Sequence, residues 1–318
     1  LTGVAALLLA TATYWFVERR FLSARKSNRK ILFLLFVAFL LLACGLAISK
    51  RHGFPSRYPS LPEGLIPKNA NFPIEWRFGK CLLYRTQGPE DFGDECFSSR
   101  GPKDATQGTE PSMVLWGDSF AAHLYPGLKE KHSNSMSLLQ LTAVACPPLI
   151  HSKTSHPNCR KINEFVLDYL RQNPGNQIHL AANWSGIFKD LELGELRMTL
   201  DRLKALGISR ITLYGPPPLW IKPLPTLVIE WNAQHPDTAI PERLTDNSFH
   251  FTAELNQRLR AVANEYGIEF FSVLDNLCQE EACLAQIDGQ LTSMDFGHLT
   301  LPGSRAAVFS SRSGSQAH

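Results

Sequence analysis

From Pro111 onward, short apolar runs alternate with stretches whose apolar residues share one helical face. The runs are Ser112–Trp116, Ser135–Leu141, Gln177–Ala182, Arg210–Tyr214 and Ile268–Val273. Between them, a helix is expected over Phe120–Lys131. Another runs from Asn158, a suitable cap, to Gln172, with Ile162, Phe165, Val166 and Tyr169 on one side. Leu196, Leu200, Leu203 and Leu206 line a third, which Gly207 stops; Thr252–Tyr266 forms a fourth, closed by Gly267. Repeated strand–helix alternation predicts an α/β domain whose parallel sheet is covered on both faces. Between Gly215 and Phe251 the pattern breaks, with seven prolines interleaved with Trp220 and Trp231. This segment is expected to be a long loop, functional or disordered.

The first strand runs into Gly117-Asp118-Ser119. In open parallel sheets, ligands bind beyond the carboxyl ends of the strands. Ser119 at the start of the next helix would have free N–H groups and a favourable dipole for a developing oxyanion. A serine hydroxyl is a weak nucleophile until a base takes its proton. Asp295-Phe296-Gly297-His298, far downstream, supplies a base in His298 and an orienting carboxylate in Asp295. The expected catalytic set is Ser119, Asp295 and His298. His123 is the rival base, one helical turn after Ser119. Asn183, just past the third strand, is the expected oxyanion donor beside Ser119 itself. Trp184 and Trp220 are candidate sugar-stacking residues; Trp184 could equally pack, and for Trp220 and Trp231 core or lid packing is the favoured reading.

The rest of the chain points to an exported, membrane-attached protein. Residues 1–17 are almost wholly apolar and begin without Met, so the chain reads as the C-terminal piece of something longer. Residues 18–30 carry Arg19, Arg20, Arg25, Lys26, Arg29 and Lys30, and residues 31–49 are apolar again. Two apolar spans around a short basic loop predict two transmembrane helices with the loop in the cytoplasm. Residues 50–110 are rich in proline and charge and are expected to be a periplasmic linker that packs on the domain. Residues 111–310 would be the α/β domain and 311–318 a polar tail. Of seven cysteines, Cys44 lies in the second span. The other six favour disulfides between sequence neighbours, 81 with 96, 146 with 159 and 278 with 283; a zinc site is the weaker alternative. A net charge of +3 is too small to argue for nucleic acid.

Gly117-Asp118-Ser119, Asn183 and Asp295-x-x-His298 resemble the first, third and fifth blocks of the SGNH hydrolase superfamily. The resemblance implies a three-layer, flavodoxin-like α/β fold with a Ser-His-Asp triad. One block departs from it. The family has a glycine after the second strand whose N–H helps bind the oxyanion, and here Leu141–Pro148 contains none. Tyr14-Trp15-Phe16-Val17-Glu18-Arg19-Arg20-Phe21 resembles the end of the membrane domain of acyltransferase family 3. Fused members of that family carry a periplasmic SGNH domain. The resemblance implies a bacterial inner-membrane O-acyltransferase, commonly an O-acetyltransferase of surface polysaccharide such as O-antigen. It further implies no resident cofactor or metal. An acyl-CoA donor, with acetyl-CoA expected, would be used by the missing membrane domain, and the partners would be that domain and the polysaccharide acceptor. The alternatives are a carbohydrate esterase on the same triad, or a non-catalytic polysaccharide-binding domain.

Overall fold

The computed structural model describes residues 10–11, 13–15, 28–50, 74–97, 112–133, 136–151, 154–188 and 193–309. It divides into two compact units, Leu1–Ser60 and Leu61–His318. In the first, Asn28–Lys50 forms helix α1, about 34 Å long at ~1.5 Å per residue. Its large apolar side chains, Leu32, Phe36, Phe39 and Leu46 among them, are exposed. Among the described residues no helix is long and apolar enough to cross a membrane. The two expected spans are therefore not shown, and most of residues 1–17 lie outside the described residues.

The second unit is built on a six-stranded parallel sheet. Its strands are β1 (Leu82–Leu83), β2 (Met113–Gly117), β3 (Leu138–Ala143), β4 (Gln177–Ala181), β5 (Ile211–Tyr214) and, after the two-residue β6 (Arg243–Leu244), β7 (Glu269–Phe271). They are ordered β1-β3-β2-β4-β5-β7. All five expected strands are present, in the doubly wound order that reverses direction at the first strand. One further strand comes from the segment read as a linker: Leu82 and Leu83 pair with Thr142 and Ala143 at the sheet edge.

Side chains alternate across β2 as a pleated strand requires. Val114 and Trp116 join one core with Ile162 and Val166 of α4 (Cys159–Gln172), Leu196 and Leu200 of α6 (Gly194–Ala205), and Leu255 and Leu259 of α8 (Phe249–Tyr266). Met113 and Leu115 join the opposite core with Leu128, Leu224, Val228, Val308 and Leu274 of α9 (Val273–Leu277). The result is three layers. Gly267 closes α8 with φ +64°, in the left-handed region where a Cβ is costly.

Two expectations need correction. The helix over Phe120–Lys131 is interrupted, forming α2 (Ser119–Ala122) and α3 (Tyr125–Lys131), with Pro126 in the first turn of the second. There a proline removes no helical hydrogen bond. The segment 215–251 is not an irregular loop. It holds helix α7 (Leu224–Gln234) and strand β6, which pairs with β9 (Ala282–Leu284), itself paired with β8 (Cys278–Gln279). Prolines at the first turn of α7 masked its helical pattern. All three neighbour disulfides form, Cys81–Cys96, Cys146–Cys159 and Cys278–Cys283, so those sulfurs are not available to zinc.

The last helix, α10 (Leu301–Val308), crosses α3 closely. The Ser304 hydroxyl accepts the Gly127 N–H at 3.1 Å, Lys131 Nζ donates to the Val308 carbonyl at 2.8 Å, and Arg305 pairs with Glu130 at 2.6 Å. Gly127 makes this approach possible: a Cβ there would collide with the Ser304 carbonyl oxygen and come within 2.7 Å of Val308 Cγ2. In an ordinary helix, Gly→Ala stabilises by roughly 0.5–1 kcal/mol. At this crossing the steric cost is larger, so Gly127→Ala is expected to lose about 2 kcal/mol net. Thermal unfolding of the variant should show a drop of about 5 °C; an unchanged or raised Tm would contradict the assigned packing.

Candidate active site

The order of the sheet places the chemistry. β2 lies between β3 and β4, and Gly117 pairs with Ala181, so the chain leaves both strands at one edge, the switch point of the sheet. Ser119 follows β2 and Asn183 follows β4. One buried carboxylate ties these exits together. Asp118 caps α2 by accepting the Phe120 N–H at 2.8 Å, and it accepts the Asn183 N–H at 3.0 Å through its other oxygen. Burial pushes its carboxyl up to about 6, against the opposing pull of the Asn183 and Phe120 N–H groups. Nothing local in the sequence announces a bridge from Asp118 to a residue sixty-five positions away.

The crossing of α3 and α10 delivers the remaining members. Thr300 caps α10, and His298 lies just ahead of it. His298 Nε2 is 2.9 Å from Ser119 Oγ, and its Nδ1 is 2.7 Å from Asp295 Oδ2. An ionised carboxylate can only accept, so Nδ1 carries the proton and Nε2 offers its lone pair to the serine hydroxyl. Asp295 Oδ1 accepts the N–H groups of Gly297 and His298 at 2.9 and 2.8 Å, which fixes the loop. Burial alone would raise the Asp295 carboxyl. The hydrogen bond and charge of His298, with the two backbone N–H groups, outweigh it and hold the group at about 2.

Asn183 caps the short helix α5 (Trp184–Ile187), its Oδ1 accepting the Gly186 N–H at 3.0 Å. That bond assigns Oδ1 and leaves Nδ2 as the donor. The loop after β3, which lacks the family's glycine, turns at Ala145. Ala145 adopts φ +53°, a left-handed conformation rare without glycine. The hydrogen bond of its turn runs from Cys146 N–H to the Ala143 carbonyl and leaves the Ala145 N–H out of it. The loop is held by the Cys146–Cys159 disulfide and by buried Asn163, which donates to the Pro147 and Leu149 carbonyls at 3.0 and 2.9 Å and accepts from Trp116 Nε1. Beside Asp118, Ala145 and Asn183 opens a cavity of about 620 Å³, lined also by Pro147, Ser155 and Phe188.

Three candidates fall away. Trp184 is fully buried, stacks on Phe188 and donates its indole N–H to the Tyr214 carbonyl at 2.7 Å. Trp220 is buried in the core that holds Leu224 and Leu299. Neither can stack on a sugar. His123 is buried and accepts the Leu299 N–H at Nδ1, and burial drives its imidazole well below the usual histidine range. Its Nδ1 is occupied by that backbone N–H, and it is His298 rather than His123 that meets Ser119 Oγ.

Residues 80–308 match the family model described as the SGNH domain fused to AT3 domains. The chain belongs to this SGNH family. Among solved structures it is similar to the periplasmic domain of the lipopolysaccharide acetyltransferase of Salmonella ser. Paratyphi A, at 26% identity and TM-score 0.57 over 62% of this chain and 80% of that one. A carbohydrate acetylesterase family member from Sinorhizobium meliloti matches at 15% identity and TM-score 0.36, over 62% of this chain and 93% of that one. No curated protein matches the chain.

Replacing Asp295 tests the relay through both rate and stability. Asp295→Asn should lower kcat by about 10⁴, because an amide favours the wrong imidazole tautomer. The depressed carboxyl also stabilises the fold above its ordinary value of 3.8, and this contribution is lost as pH falls through about 2. With 38% of the side chain exposed, solvent reduces it to roughly 1 kcal/mol. Chemical denaturation should show the wild-type advantage at pH 7 narrowing towards pH 2; a gap that does not depend on pH would contradict the assignment.

Proposed function

We propose that this chain passes an acyl group, expected to be acetyl, to a hydroxyl of a bacterial surface polysaccharide through an acyl-Ser119 intermediate. The supporting observation is the assembled Ser119–His298–Asp295 relay, in a domain of the family fused to AT3 domains and similar to the periplasmic domain of a lipopolysaccharide acetyltransferase. Ser119 Oγ attacks the acyl carbonyl while His298 Nε2 takes its proton. The Ser119 N–H, Asn183 Nδ2 and the Ala145 N–H are the candidate donors to the oxyanion, and loss of one such donor typically costs about 10²–10³ in rate. Collapse expels the leaving group, which takes the proton back from His298. The sugar hydroxyl, deprotonated by the same nitrogen, then attacks the ester and regenerates the free serine. The cavity beside Asn183 has the position and size for the acceptor.

The same reading places the domain in the periplasm and anchors the chain in the inner membrane through the apolar segments on either side of residues 18–30. Three disulfides suit an oxidising compartment, and a helix with exposed Leu32, Phe36 and Phe39 suits a lipid environment. The donor would be an acyl-CoA handled by the membrane domain. A hydrolytic esterase is the second reading, favoured by the partial exposure of His298, which admits water to the acyl-enzyme. In cells, Ser119→Ala is expected to abolish polysaccharide acetylation. Near-normal acetylation in that variant would refute acyl transfer through this serine. Deacetylation of the polysaccharide by the wild-type chain would favour the esterase.

A further inference from the structure

The general base is walled in by rings. The imidazole of His298 lies 4.5 Å from the Phe120 ring, 5.5 Å from the Trp76 ring and 6.2 Å from the His123 ring, centroid to centroid. Phe120 and His123 belong to the segment that carries the nucleophile. Trp76 does not: it lies ahead of residue 80, where the family match begins. It is nevertheless buried to 1% exposure.

Trp76 has its own anchorage. Gln140, fully buried on β3, donates through Nε2 to the Trp76 carbonyl at 3.0 Å and accepts at Oε1 from Arg77 Nε at 3.0 Å. Arg77 adopts φ +55°, donates to the Glu95 carbonyl at 2.7 Å and places its guanidinium 4.0 Å from the Tyr125 ring centre. Thr142 Oγ1 donates to the Cys81 carbonyl at 2.7 Å, and Cys81 is bonded to Cys96. Strand pairing, a buried amide, a stacked guanidinium and a disulfide thus fix a short segment whose innermost side chain rests against the catalytic imidazole. So many constraints on one segment exceed what covering a sheet edge requires.

We propose that Trp76 is a positioning residue for His298, through which the N-terminal extension holds the imidazole in the orientation that joins Ser119 to Asp295. The torsion that turns a histidine ring about its Cβ–Cγ bond is broad and soft. The hydrogen bond to Asp295 restrains one edge of the ring; the tilted Trp76 and Phe120 rings beside it restrain its rotation. Misplacement of a catalytic group by about 1 Å can cost 10²-fold in rate.

The inference rests on the proposed triad, and its test separates the two. The full chain is assayed with p-nitrophenyl acetate as wild type, Trp76→Phe and Trp76→Leu, with the Nδ1 proton of His298 followed by NMR as a marker of its hydrogen bond to Asp295. Trp76→Leu keeps an apolar side chain without a ring. It is expected to lower kcat about ten-fold or more, with KM changed by less than about two-fold, and to broaden or abolish the proton signal. Trp76→Phe restores a ring and should recover most of both. A folded Trp76→Leu chain with wild-type kcat and an intact signal overturns the proposal. Equal losses of kcat and Tm in the two variants, with the signal retained, also overturn it by showing a purely structural role. If the wild type is not acylated at Ser119, the acyl-transfer reading fails, while the proton signal still reports whether Trp76 holds the imidazole.

Discussion

The hydrogen bond between Ser119 Oγ and His298 Nε2 joins residues 179 positions apart. Most of the domain serves to close that distance. Ser119 is placed by the end of β2 and the cap on α2; His298 is placed by a loop that α10 clamps onto α3. A parallel sheet makes this economical. Its strand ends gather at one edge, and helices on both faces give the first and last elements a common partner. The clamp depends on the absence of a side chain at Gly127.

Two aspartates next to the reacting atoms are pushed in opposite directions by their surroundings. Asp295 is partly exposed and receives His298 and two backbone N–H groups, which keep it ionised and able to orient the base. Asp118 is buried, and desolvation raises it despite the N–H groups it accepts. The first is hydrogen-bonded to His298, as the proposed relay requires, and the second holds the Ser119 turn and the Asn183 loop in register. Environment, rather than residue type, divides their roles.

Local pattern carried much of this into the sequence. The five strands appear because each is a short apolar run between turn signals, and the triad because Gly-Asp-Ser and Asp-x-x-His are compact motifs. The neighbour disulfides follow from short separations. What stayed hidden is non-local or cancelled by local signals. Ala145 takes a left-handed turn without the glycine that would advertise it. Trp76 and Leu82 sit in a proline-rich stretch that resembles a linker, and only pairing with β3 reveals their place. Sequence left Trp184 open between sugar stacking and core packing because its burial is decided by Phe188 and Tyr214, which sequence does not place beside it. In 215–251 the density of proline concealed a helix that uses one of those prolines in its first turn.

In the proposed function, His298 makes Ser119 nucleophilic. The most direct measurement is the rate of covalent labelling of the intact chain by a fluorophosphonate, with the modified residue located by peptide mass spectrometry. A single adduct on Ser119, formed about 10²–10⁴ times more slowly in His298→Ala, is the predicted result. An adduct on another residue, or labelling of Ser119 at the same rate without His298, would contradict it.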